Sequence, residues 1–376
     1  MSGPHLGDYF DNRQEPGRPG LPVMSVTMND SLVFRDDLDR RTESALRPDQ
    51  HLLVRKGDIA YNMMRMWQGA CGLAEADGVV SPAYVVLAPK PGIDSRFAYH
   101  WFKSARMIHL FRAYSHGLTE DRLRLYFDAF CEIPAAPPPL EQQRRIVAVL
   151  DAWDQAIEQT QRLIAAKKRR RVALLSRLFG DERNPLRTKG TPLEELATLH
   201  YGKGLPPSDY SAGGQSPVFG TQGEIGKTNR RLFDGPAIIV GRKGTLDKPV
   251  LVDSVRPFWA IDTVFVVRPR VSPRLLHAFL DFIDLKRLNE ASGVPSVSSE
   301  NLGALLIPPS PFENTDQFES LVERIDQNIQ DATTRLNQLQ AQKRGLAQKL
   351  LTGERKLDGR FDVVAPAVRS FVGGAA

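Results

Sequence analysis

The sequence predicts an α+β protein: two mixed α/β domains, each followed by a long helix, with the two helices packed as an antiparallel coiled coil. Three observations carry this. Residues 140–179 hold neither Gly nor Pro and follow Pro137-Pro138-Pro139, so a helix that starts abruptly runs on for roughly 60 Å. Its apolar residues fall on alternating three- and four-residue steps, the seam of a coiled coil. The same seam recurs about 172 residues later, so the chain carries the helix twice.

The first seam reads Ile146, Leu150, Trp153, Ile157, Thr160, Ile164, Lys167, Arg171, Leu174 and Leu178. The second reads Phe318, Val322, Ile325, Ile329, Ala332, Leu336, Leu339, Lys343, Leu346 and Leu350. Neither narrow stripe buries itself alone, but two in one chain cover each other. With the helix centres aligned antiparallel, Lys167 falls near Glu323 and Arg171 near Glu319, exposed pairs that contribute about 0–1 kcal/mol.

The repetition extends upstream, as in a duplicated unit. Ile133-Pro134 matches Ile307-Pro308, and Ser115-His116-Gly117-Leu118 is echoed by Ser292-Gly293-Val294. Helical patterns precede both, from Arg96 to Tyr114 and from Arg274 to Ala291. The division that follows is a first domain over 1–137, a helix over 138–180, a linker over 181–190, a second domain over 191–309, a helix over 310–353 and a tail over 354–376.

In the first domain, strands are expected around Leu21–Thr27, across Val54–Asn62 with a turn at Lys56-Gly57, and over Gly78–Leu87. Between the last two lies the loop Arg65-Met66-Trp67-Gln68-Gly69. The second domain opens with a helix-like Pro192–Leu199, followed by Tyr201-Gly202-Lys203-Gly204 and Phe219-Gly220-Thr221-Gln222-Gly223. The strand-and-loop Ala237–Thr245 and a strand beginning at Phe258-Trp259 complete it. Basic and aromatic residues on Gly-rich loops thus recur at the same stage of both units, a plausible paired recognition surface.

The net charge of +6 suits a polyanionic partner, and it is concentrated in Lys167-Lys168-Arg169-Arg170-Arg171. That run fits either phosphate contact or a solvated helix end favoured by the macrodipole. No apolar run reaches the length of a membrane span and no leader pattern opens the chain, so a cytoplasmic protein without membrane contact is expected. Cys71 and Cys131 lack metal-ligand spacing and read as free thiols.

Catalytic motifs are missing: there is no phosphate loop, no His-Glu-x-x-His, no Cys-x-x-Cys and no histidine cluster. No catalytic residue, no metal ligand and no cofactor bound by this chain is therefore expected. Arg65, Arg242 and Lys243 are the best contact candidates, because long cations reach phosphates and guanine edges and no carboxylate partner stands nearby in sequence. Trp67 and Trp259 stand beside them, readable as core or as contact.

These words and their order resemble the DNA-specificity (S) subunit of bacterial type I restriction-modification enzymes. Pro138-Pro139-Leu140-Glu141-Gln142-Gln143-Arg144-Arg145-Ile146, Trp153-Asp154-Gln155-Ala156-Ile157 and Leu350-Leu351-Thr352-Gly353 are similar to that family's helix motifs. Met64–Ala70 with Val80-Ser81-Pro82-Ala83-Tyr84, and Gly241–Gly244 with Phe258–Thr263, are similar to its target-recognition motifs. Pro311-Phe312-Glu313 and Phe179-Gly180 depart from the pattern.

The resemblance implies two target recognition domains, each reading half of a split double-stranded DNA target, and helices that fix the spacer between the halves. It implies DNA contacts from Arg65, Trp67, Gln68, Ser81, Tyr84, Lys203, Gln222, Arg242, Lys243 and Trp259. It implies a scaffold that docks two methyltransferase subunits, built from Leu140, Gln143, Ile146, Leu150, Trp153, Ile157, Ile325, Ile329, Leu336 and Leu350. S-adenosylmethionine, ATP and Mg2+ would sit on methyltransferase and restriction subunits. Three alternatives stay open: the specificity component of a methylation-only or other multi-subunit system, a stand-alone nuclease with Asp58, Glu75 or Asp262 as metal ligands, and a coiled-coil adaptor.

Overall fold

The computed structural model describes residues 3–28, 32–37, 46–254, 256–313 and 315–357, so most of the expected tail lies outside the described residues. The chain forms two compact units, Met1–Gln159 with Leu336–Ala376, and Thr160–Arg335. Each expected α/β domain lies inside one unit, and each unit also takes part of both long helices.

The first unit is built on an antiparallel sheet in the order Phe10–Asn12, Tyr84–Pro89, Ile59–Asn62, Cys71–Leu73. Side chains alternate across it: Ile59, Tyr61, Val85 and Leu87 enter one apolar cluster, Ala60 and Val86 the other. The larger cluster takes the helices Ser95–Phe102 and Ala105–Ala113, with Phe130 packed among Phe10, Tyr61, Phe102 and Phe111. Small ribbons, Met24–Val26 with Leu32–Phe34 and Leu52–Val54 with Gly78–Val80, cover the other face.

The second unit holds a sheet in the order Ala197–Tyr201, Val264–Pro269, Ala237–Gly241, Val250–Val252, again antiparallel. Ile238, Val240, Phe265 and Val267 face the cluster under the helix Pro273–Phe282, while Ala237, Ile239, Val264 and Val266 face the other way. That second face is covered by a four-stranded sheet in the order Gly223–Thr228, Ser216–Gly220, Pro257–Ala260, Phe233–Asp234.

Several sequence expectations change on folding. The pattern Arg96–Tyr114 is broken into two helices, because the Ser104 side chain accepts from the Met107 N–H and caps a new start. The pattern Arg274–Ala291 is α-helical only to Phe282, where Arg183 Nε donates to the Phe282 carbonyl and the Asp284 N–H turns to Arg183, and a 3-10 turn over Leu285–Leu288 follows. Only Leu193–Leu196 of the expected helix Pro192–Leu199 forms, since Ala197–Tyr201 pairs along Val264–Pro269 instead. Short local preferences yield to sheet pairing here.

The long helices are Leu140–Phe179 and Thr315–Leu351, preceded by the short turn Ser310–Glu313. Gly180 and Gly353, at φ 85° and 77°, end them in the left-handed conformation that a Cβ disfavours. Within the second unit Arg171 meets Asp326 at 2.5 Å and Lys167 reaches Asn328 at 3.4 Å; within the first, Lys343 meets Asp154 at 2.5 Å. In the second unit the partners move up one helix as they move down the other. The expected pairs Lys167–Glu323 and Arg171–Glu319 are therefore wrong in register: both acids are taken by Arg274, at 3.2 and 3.7 Å. Apolar seam residues repeat every heptad and cannot fix register, so ion pairs with the packed domain decide it.

Candidate nucleic-acid interface

In the first unit the strand Ile59–Asn62 ends beside the start of Tyr84–Pro89, with Asn62 opposite Tyr84. The chain then makes a one-turn 3-10 helix, Met66–Gln68, closed by Gly69 at φ 87°. Buried Met66 anchors this turn and leaves Arg65 exposed, its guanidinium 3.2 Å from Gln68 Oε1. Trp67 is half-buried, its indole N–H donating to the Met64 carbonyl at 3.0 Å and its ring lying 5.7 Å from the Arg112 guanidinium. Arg124 joins the group against Met64 Sδ at 3.8 Å. Ser81 works locally, its hydroxyl accepting from the Ala83 N–H, and Tyr84 is partly buried against the smaller apolar cluster.

The second unit repeats this placement on its own sheet. The strand Ala237–Gly241 ends beside the start of Val264–Pro269, with Gly241 opposite Val264, and Arg242 and Lys243 follow. Their N–H groups both donate to the Thr263 carbonyl, at 2.8 and 3.1 Å. A Cβ on Gly241 would meet the Thr245 carbonyl at 1.8 Å, which is why glycine opens this tight loop. Arg242 lies 5.1 Å from the Tyr201 ring and donates to the Asp262 carbonyl, while Lys243 is exposed. Lys203 is exposed one strand over, its N–H bonded to the Ala260 carbonyl. Gln222, on the turn between Ser216–Gly220 and Gly223–Thr228, reaches Thr245 Oγ1 at 3.3 Å.

Trp259 departs from its expected place. It is 6% exposed, and its indole N–H donates to the Lys203 carbonyl at 2.7 Å. A tryptophan at a strand end offers a large apolar body to the core, and here it props the Lys203 loop from beneath. Arg65, Arg124, Lys203, Arg242 and Lys243 form no ion pair among the described residues. Arg112, Arg124 and Tyr201 escaped sequence reading because their partners are far away along the chain.

The scaffold residues are spent mainly on internal packing. Gln143 is wholly buried: its Nε2 donates to the Gly92 and Pro138 carbonyls and its Oε1 accepts from the Asp94 N–H. Ile146, Leu150 and Leu350 lie in the first unit's core, while Leu140, Trp153, Ile157, Ile325, Ile329 and Leu336 are half-buried along the helices. The basic run divides: Arg171 and Lys167 turn to partners within the second unit, whereas Lys168, Arg169 and Arg170 are exposed.

Two of the three carboxylates considered as nuclease ligands have structural work. Asp58 is buried against Arg13 at 2.7 Å, and Glu75 pairs with Arg96 at 3.3 Å. Among the described residues, the one group with metal-ligand spacing is His100, Asp151 and Asp154, and Arg96 and Lys343 already neutralise its acids. No described helix is long and apolar enough to cross a membrane.

Comparison with known proteins matches no family model and no curated protein. Among solved structures, the S subunit of a type I restriction-modification system from M. genitalium superposes with a TM-score of 0.55 at 17% identity, covering 92% of this chain and 94% of that one. The chain has the fold of a type I restriction-modification S subunit. A second match comes from a structure reporting complex assembly and conformational transition of the type I R-M system. Its TM-score is 0.54 at 16% identity, covering 92% of this chain and 98% of that chain. At such identities the S-subunit likeness speaks for the fold, and the loops must be read from this chain's own residues.

Proposed function

We propose that this chain is the non-catalytic, sequence-specific DNA-binding subunit of a type I restriction-modification complex. The observation that carries the reading is the matched placement of cations that form no ion pair among the described residues: Arg65 and Arg124 at one end of the first sheet, Arg242, Lys243 and Lys203 at the corresponding end of the second. Long cations on braced loops suit phosphates and guanine edges in a major groove.

Each domain reads one half of a bipartite target, and the chain is an internal duplication whose long helices pair as an antiparallel coiled coil that sets the spacer. The helices and their ends dock two methyltransferase subunits, to which restriction subunits add. S-adenosylmethionine, ATP and Mg2+ belong to those partners, and the assembly works in the cytoplasm on double-stranded DNA. Replacing Arg242 and Lys243 by Ala tests this: methylation at one half-site should weaken by about 1–3 kcal/mol in binding free energy if the contacts are base-specific. Unchanged binding and methylation would count against the assignment.

A further inference from the structure

Two apolar side chains stand where no folding argument puts them. Leu118 is 96% exposed, the most exposed large apolar residue among those described, and Val294 is 68% exposed. A single exposed aliphatic residue is ordinary. These two are distinguished by the loops that hold them and by what lies beside those loops.

Leu118 sits on a loop closed by reciprocal bonds between His116 and Arg124, each N–H donating to the other's carbonyl at 2.9 Å. A Cβ on Gly117 would lie 2.5 Å from the Arg122 carbonyl, so the loop is packed against itself at its narrowest point. Its base is tied to the cationic loop: the Leu125 N–H donates to the Met63 carbonyl, two residues before Arg65, and Arg124 contacts Met64.

Val294 sits on a loop built from different residues to the same effect. Asn289 Oδ1 accepts from the Ala291 and Ser296 N–H groups, and its Nδ2 donates to the Ala291 carbonyl. Glu290 accepts from the Ser298 N–H and hydroxyl and from Asn301, and the Ser298 backbone bond, first among these, holds its carboxyl below the usual range. The base is again tied to the cations, with Lys243 bridged to Ser296 and the Gly244 N–H donating to the Pro295 carbonyl at 2.7 Å.

A loop braced in this way holds its apolar tip in water, beside cations that form no ion pair among the described residues. Water is a poor partner for such a tip, whereas the thymine methyl group is the one apolar feature that a major groove presents beside phosphates. We infer that Leu118 and Val294 are specificity-determining residues, one per half-site, each packing on a thymine methyl group while the neighbouring cations hold phosphates and guanine edges. The inference rests on the DNA-specificity reading above.

The test uses the full chain assembled with its methyltransferase and a duplex carrying the methylated target. Binding is measured for wild type, Leu118→Ser, Val294→Ser and the conservative Leu118→Met and Val294→Ile, on cognate and scrambled duplexes. Each target thymine is replaced in turn by deoxyuridine, which lacks only the methyl group. Each serine variant should lose about tenfold on the cognate duplex and nothing on the scrambled one, with the conservative variants close to wild type. One deoxyuridine position per half-site should weaken wild type similarly and leave the matching serine variant unaffected.

Serine variants that bind both duplexes as wild type does, or that lose equally on both, would overturn the inference. So would a cognate-specific loss with no deoxyuridine-sensitive position, which would point instead to a wedge between base steps. If wild type itself shows no preference for any sequence, it is the DNA-specificity reading that falls.

Discussion

Gln143 shows how much one polar side chain can hold. It makes three hydrogen bonds from a wholly buried position, linking the start of the first long helix to Gly92 and Asp94. Gln143→Leu strands two carbonyls and one N–H, and should cost about 3 kcal/mol of first-unit stability. Urea denaturation measures this, and a loss below about 1 kcal/mol would contradict the clasp. Cys71 is pushed up to about 11 by burial, so at pH 8 it should resist alkylation until the unit unfolds. Rapid labelling of Cys71 in the native protein, read by peptide mass mapping, would show the pocket to be open. His100 and His277 titrate the other way: burial first of all lowers both below the ordinary 6.5. The unfolded chain then binds more protons than the native one, so their contribution is complete above about pH 6.5 and is lost as pH falls through the native values. His100→Gln and His277→Gln should each flatten the fall in urea midpoint between pH 7.5 and 5.5. Parallel slopes in wild type and variants would exclude these groups as the cause.

Helices and strands differ in how openly the sequence declares them. Leu140–Phe179 was legible because nothing in it competes: proline before, glycine after, and an apolar step that needs only another helix. Where two forces compete, local pattern misleads. Ala197–Tyr201 pairs into a sheet despite a helical preamble, and Ser104 restarts a helix that periodicity alone would carry through. Register is a third case, since the apolar seam is unchanged by a heptad shift and the deciding contacts involve Asp326 and Arg274. Arg171→Ala, which leaves Asp326 and Asp281 without their shared cation, should cost about 1–3 kcal/mol of second-unit stability. A charge-swap cycle fixes the register directly. Asp154→Lys should be destabilising and partly rescued by Lys343→Asp, with about 0.5–1 kcal/mol of coupling. The cycle between Lys167 and Glu323 should show none, and coupling there instead would restore the register read from the seam.

For the molecule as a whole, the cationic loops were readable from sequence because Arg and Lys beside glycine have few other uses. Their surroundings were not. Arg112 and Arg124 reach Trp67 and Met64 across the fold, and for Trp259, readable from sequence as core or as contact, burial beneath Lys203 decides for core. Burial is decided by tertiary packing, which a linear pattern does not carry. The central claim is that this chain gives a methyltransferase its split DNA target, and the most direct measurement is a genome-wide map of modified bases in cells expressing that methyltransferase with and without this chain. Adenine methylation at one motif of two short halves, separated by a fixed unread spacer, should appear only when the chain is present. Methylation that is identical in both cells, with the chain copurifying with the methyltransferase, would contradict the claim.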